Sequence, residues 1–158
     1  MRLMIYYTGD GETRTRATRA AEAVRKAFAG RVLVGLPPAE RPIPPDATDR
    51  FRGASFADAL LDRLGGDTAG LWFVEAELAT QRGATVPGLA REQRGAVVST
   101  LVLPTQGHVD REAIHEVGHV LGLRHCENDC AMRLPRSLDE ADGASAKLCW
   151  TCEMKIRN

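Results

Sequence analysis

Residues 115–125 read His-Glu-Val-Gly-His-Val-Leu-Gly-Leu-Arg-His. On a helix, successive side chains rotate by about 100°, so His115 and His119 fall about 40° apart on one face. Glu116 flanks them, and Ala113, Ile114, Val117, Val120 and Leu121 spread over the opposite side. Such a helix buries one face and presents two imidazoles and a carboxylate on the other. Two histidines at this spacing can hold one Zn²⁺, with Glu116 beside the metal rather than on it. Gly122 can take a positive φ, end the helix and turn the chain. His125, three residues later, can then return as a third ligand. Three imidazoles leave one tetrahedral position for water, the mark of a catalytic zinc, and Glu116 becomes the candidate general base. The plainer reading, two solvated surface histidines, does not account for the spacing of Gly122 and His125. His108, the remaining histidine, sits in a glycine-containing stretch ahead of the helix and reads as a surface residue.

All four cysteines follow at once. Cys126-x₃-Cys130 and Cys149-x₂-Cys152 are two short-spaced pairs, a pattern suited to a closed structural zinc on four thiolates. A redox Cys149/Cys152 pair is an alternative that leaves Cys126 and Cys130 unexplained; disulfides are another. Cys126 directly follows His125, so the four-cysteine site is expected to fix the loop that delivers the third histidine.

These residues need a scaffold, and the earlier chain reads as one. Leu3–Tyr7, 31–35, 70–75 and 96–103 are strand candidates. Apolar spacing over 13–29 predicts a helix ended by Gly30. Five of the eight prolines lie between Pro37 and Pro45, which predicts a surface loop. Ser55-Phe-Ala-Asp58 and Ser137-Leu-Asp-Glu140 have the form of capping boxes, and Asp110 is a candidate cap for the histidine helix. Gly9-Asp10-Gly11 lacks the third glycine of a dinucleotide fingerprint and reads as a plain turn. Alternating strands and helices predict an α/β domain. The chain of 158 residues is 44% hydrophobic and 27% charged with zero formal net charge, a globular composition with no electrostatic footprint for nucleic acid or an anionic membrane. The five-residue apolar run near the N-terminus is too short for a leader core or a membrane span. The expectation is a cytoplasmic monomer.

The string His-Glu-x-x-His-x-x-Gly-x-x-His is the zinc signature of the metzincin metallopeptidases. Its continuation by Cys126, Cys130-Ala-Met132 and Cys149-x-x-Cys152 resembles the archaemetzincins specifically. The resemblance implies zinc on His115, His119 and His125, Glu116 as general base, a second zinc on Cys126, Cys130, Cys149 and Cys152, and Met132 in a Met-turn beneath the catalytic metal. Trp72–Leu78 and Ala96–Thr100 resemble the family's strands ahead of the helix. There are departures. Three residues rather than four separate the first two cysteines, the Met132–Cys149 spacing is one shorter, and the chain stops soon after Cys152. Leu134 stands where some other metzincins carry a tyrosine that steadies the transition state. The expected fold is a compact metzincin-like α/β domain over 1–158. It comprises a twisted mixed sheet, a backing helix and the histidine helix (1–107 as scaffold and cleft wall), with a C-terminal four-cysteine zinc subdomain within 108–158. The expected function is hydrolysis of peptide or protein substrates, with strand 96–103 aligning an extended peptide by edge pairing. Zinc and Glu116 do not by themselves select a peptide, so a zinc-dependent hydrolase of non-peptide amides or esters is a second reading. A zinc-binding regulatory module is a third.

Overall fold

The computed structural model of the chain describes residues 1–45, 56–80 and 82–157. Five strands form one mixed sheet. β1 (Arg2–Thr8) pairs in parallel with β2 (Leu33–Glu40) and β3 (Ala69–Val74); β3 pairs in parallel with β7 (Gly95–Ser99); β6 (Gly88–Arg91) closes the far side antiparallel to β7. The order is β2-β1-β3-β7-β6. A separate two-stranded ribbon, β4 (Leu78–Ala79) with β5 (Thr85–Val86), leads into β6.

Strands β3 and β7 are buried along their whole length, which explains their continuous apolar sequences. Alternation along β3 divides the core. Leu71 and Phe73 join Leu3, Ile5 and Val98 under α1 (Gly11–Ala27), while Trp72 and Val74 join Val97 under α2 (Phe56–Leu61). The first cluster also takes Val109, Ala113, Ile114, Val117 and Val120 from α3 (Gln106–Val120), so α1 and α3 lie side by side on one face of the sheet. It runs on to Met132, Leu148 and Cys152, so the cysteine segment shares this core. Two short helices, α4 (Leu138–Asp142) and α5 (Trp150–Lys155), complete the described chain. No described helix is long and apolar enough to cross a membrane.

Several expectations change. The predicted 37–45 loop begins four residues too early, because β2 runs to Glu40 and takes in Pro37 and Pro38. A strand at the sheet edge tolerates residues without an N–H donor, and the β1–β2 register shifts beside them. The predicted 96–103 strand stops at Ser99, since the carbonyls of Thr100 and Leu103 are taken by Arg16 instead of a neighbouring strand. β7 lies between β3 and β6, so its edges are already paired, and among the described residues the free edge on that side of the sheet belongs to β6. Asp110 is not the cap of α3. Thr105 is, its hydroxyl accepting the His108 N–H at 3.2 Å, which places His108 inside the first turn. Asp10 caps α1 and fills that helix's N-terminus with its own carboxylate, consistent with a plain turn. Ser137 caps α4 as expected. Ser55 lies outside the described residues.

Candidate active site

α3 carries its functional face because its other face is committed to the sheet. The helix ends where Gly122 takes φ +85°, with the Gly122 and Leu123 N–H groups closing on the carbonyls of His119 and Gly118. This turn brings His125 back. The Nε2 atom of His119 lies 3.0 Å from that of His115 and 3.2 Å from that of His125. The Nδ1 atom of His115 is 2.8 Å from the Ala131 carbonyl and that of His119 is 2.7 Å from the Leu123 carbonyl. A carbonyl only accepts, so both Nδ1 atoms carry the hydrogen and both Nε2 atoms present lone pairs. Lone pairs gathered this closely repel unless a cation sits among them. Ligands about 2.0–2.1 Å from a tetrahedral zinc lie about 3.3 Å apart, close to the spacing here. Burial lowers the pKa of His115 to about 4, against the pull of the Ala131 carbonyl, and burial with the neighbouring His119 lowers that of His125. For His115 and His125 the surroundings therefore favour the neutral form, the one a metal needs. The donor set fits zinc.

Met132 sits directly beneath the helix. A Cβ on Gly118 would lie 2.3 Å from its sulfur, so glycine at that position lets the methionine lie where it does and a larger residue would force it to shift. The bond from His115 to the carbonyl of Ala131, the residue before it, fixes the segment from above.

Glu116 is buried beside the histidines, and its carboxyl is hydrogen-bonded to that of Glu112, one turn earlier. Burial, then the charge of Glu112 and this bond, holds the Glu116 pKa well above the usual carboxylate range. Burial also raises Glu112, partly opposed by the bond to Glu116 and the charge of Arg111. Strand β6 crosses just above. A Cβ on Gly88 would meet Glu116 Cγ at 2.8 Å and a Glu112 oxygen at 2.9 Å, so the strand approaches the carboxyl pair through a glycine. Glu112 is a site residue that the spacing argument missed, although its i−4 relation to Glu116 is legible in the sequence.

A cleft of about 880 Å³ runs over this face, floored by α3 and walled by 85–90, 102–104 and 134–137. The 77–95 segment thus forms a wall through β5 and β6. His108 belongs to this cleft rather than to the outer surface. Its side chain is 12% exposed, with Nδ1 2.6 Å from the Thr105 hydroxyl and Nε2 2.8 Å from Asp142. Leu134 lines the cleft and supplies no hydrogen-bond donor from its side chain.

The four cysteines gather on the other side of the His125–Cys126 bond, their sulfurs within 4.8 Å of one another and none of them in a disulfide. The Cys126–Cys149 sulfur distance is 3.7 Å. Thiolates about 2.3 Å from a tetrahedral zinc lie close to 3.8 Å apart. Backbone N–H groups of Met132 and Cys149 donate to the Cys130 sulfur, and the Asn128 amide donates to that of Cys149. Burial pushes up the thiols of Cys130 and Cys152. For Cys149 burial acts the same way, but the Asn128 bond and those from neighbouring thiols and backbone outweigh it and bring the pKa to about 6. The shortened spacing between Cys126 and Cys130 does not keep the four sulfurs apart.

Residues 106–158 match the family model described as peptidase family M54. The archaemetzincin of Nanoarchaeum equitans is 35% identical, the match covering 90% of this chain and 83% of the relative. That of Halobacterium salinarum is 30% identical over 99% of each chain. The crystal structure of the Methanopyrus kandleri archaemetzincin superposes with a TM-score of 0.80 at 30% identity, covering 99% of this chain and 93% of the other. With family model, full-length relatives and solved fold in agreement, the chain belongs to the archaemetzincins, the zinc metallopeptidases of peptidase family M54.

Proposed function

We propose that this chain holds two zinc ions and hydrolyses peptide bonds at the first of them, with His115, His119 and His125 as its ligands and Glu116 as general base. The second zinc is assigned to Cys126, Cys130, Cys149 and Cys152. The observation that carries the reading is the convergence of three Nε2 atoms, two of them fixed as lone-pair donors, beside a buried carboxyl with a raised pKa. Zinc held by three neutral imidazoles supplies Lewis acidity towards a scissile carbonyl and lowers the pKa of water. The protein's own groups do the rest. A Glu116 carboxylate oxygen accepts a proton from the attacking water and returns it to the departing amine nitrogen. A pKa raised above the usual carboxylate range suits both transfers. Glu112 holds the Glu116 carboxyl through their shared hydrogen bond. The free edge of β6 offers backbone N–H and C=O groups to an extended peptide lying along the cleft.

The four-cysteine site also serves the first. Cys126 donates its N–H to the Met132 carbonyl at 3.0 Å and adjoins His125, while Cys130 adjoins Ala131, whose carbonyl orients His115. Residues 1–158 act as one domain in this reading, because one buried cluster runs from Leu3 to Cys152. Four cysteines gathered as one metal-ligand set suit the cytoplasmic location the sequence suggests. The test is Glu116→Gln in the zinc-loaded protein against a peptide library. Zinc should be retained and cleavage lost by at least about 100-fold. Cleavage at the parent rate would remove Glu116 from the mechanism.

A further inference from the structure

Arg16 lies on α1, in the scaffold, yet its guanidinium reaches the loop between β7 and α3. Nη1 donates to the Thr100 carbonyl at 2.6 Å, and Nη2 donates to the carbonyls of Leu103 at 2.7 Å and Thr105 at 3.1 Å. The Gln106 amide returns a bond to the Arg16 carbonyl at 3.1 Å. Among the described ion pairs Arg16 has no carboxylate partner. The clamped loop carries Val102, Leu103 and Pro104 into the wall of the cleft, where Leu134 and Pro135 also present apolar surface. Leu101 and Val102 are substantially exposed, and of residues 101–103 only Leu103 packs against the core, so burial alone does not hold this stretch. Backbone carbonyls that turn to a single guanidinium give the wall a defined position, since the planar fork fixes several acceptors at once.

We propose that Arg16 is a positioning residue for specificity: by clamping residues 100–105 it sets the apolar wall of the cleft, which thereby selects peptides with a bulky apolar side chain beside the scissile bond. This rests on the peptidase reading of the cleft. A wall held rigidly at a fixed distance rewards a side chain that fills the space, and one free to move rewards large and small side chains alike.

The experiment uses the zinc-loaded full chain as parent, Arg16→Met and Arg16→Lys. Quenched fluorescent peptides differ only by Leu or Ala at the residues flanking the scissile bond. The parent should prefer the Leu peptide by about tenfold in kcat/KM, the scale of a few methylenes in an apolar pocket. In Arg16→Met that ratio should fall at least about threefold through a higher KM for the Leu peptide, with zinc content unchanged and Arg16→Lys partly restoring it. Amide hydrogen exchange at residues 101–103 should quicken in Arg16→Met. No preference in the parent, an unchanged ratio in Arg16→Met, or equal losses of kcat for both peptides would overturn the proposal. If the parent cleaves no peptide, the peptidase reading fails separately. Amide exchange in 101–103 then decides the clamp, and unchanged exchange overturns it.

Discussion

The histidine cluster and the cysteine cluster meet at one peptide bond, and they are built on opposite plans. The histidine cluster offers three donors, an exposed third residue in His125, a carboxyl pair that joins none of the described ion pairs, and a wide cleft. The cysteine cluster offers four donors, buries Cys130 and Cys152, and turns N–H groups toward its sulfurs. The number of protein donors separates chemistry from architecture. Three leave a coordination position for a reactant, and four use the metal as a crosslink. In the function proposed here the second plan also supports the first, through Cys126 beside His125 and Cys130 beside Ala131, whose carbonyl meets His115.

The harshest way to break this comparison is Cys149→Ala. A structural zinc contributes about 10–16 kcal/mol of metal-linked folding energy, as much as the whole stability of a typical domain. The variant should melt far below the parent and lose hydrolysis as well, read by calorimetry and peptide cleavage on the same sample. Retained activity would uncouple the two clusters.

Glu116→Gln sharpens the contrast from the other side. Besides losing activity, its metal-free form should melt higher than the metal-free parent at pH 7, by about 1 kcal/mol or more, because a neutral amide replaces a carboxyl that burial and Glu112 strain. A lower melting temperature would mean that Glu116 is placed for stability.

The histidine site should also give the metal-free protein a pH dependence. Burial holds His115 at about 4, whereas an unfolded histidine titrates near 6.5. Between these values the unfolded chain binds the additional proton. The contribution is therefore fully present above pH 6.5 and is lost as pH falls towards 4, by about 3 kcal/mol. The buried Glu112–Glu116 pair pulls in the opposite sense, so the effect is read as the difference between parent and His115→Asn in metal-free melts across that range. A flat difference would contradict it.

The most local effect expected is from Gly118→Ala. The new methyl meets the Met132 sulfur, which must shift, at a cost of about 1–3 kcal/mol. Zinc affinity at the histidines should fall with little change at the cysteines.

Much of the site was legible because its geometry is local. The spacing of His115, Glu116, His119, Gly122 and His125 encodes a helix face and a turn, and the two short cysteine pairs encode a knot. Non-local features were not legible. Residues 96–103 are apolar enough to be a buried strand, but periodicity does not say which strands flank them, nor that Arg16 claims the carbonyls after Ser99. Pro37 and Pro38 read as loop until β2 is known to lie at an edge. Asp110 is as good a cap by type as Thr105, and Thr105 wins because Arg16 and Gln106 fix the chain there.

Zinc content of the parent and of His115→Ala, purified alike, tests the central contrast most directly. Two metal sites, one open and one closed, predict two zinc ions per chain in the parent and one in the folded variant, with hydrolysis lost. A parent that holds a single zinc, unchanged by His115→Ala, would contradict the account.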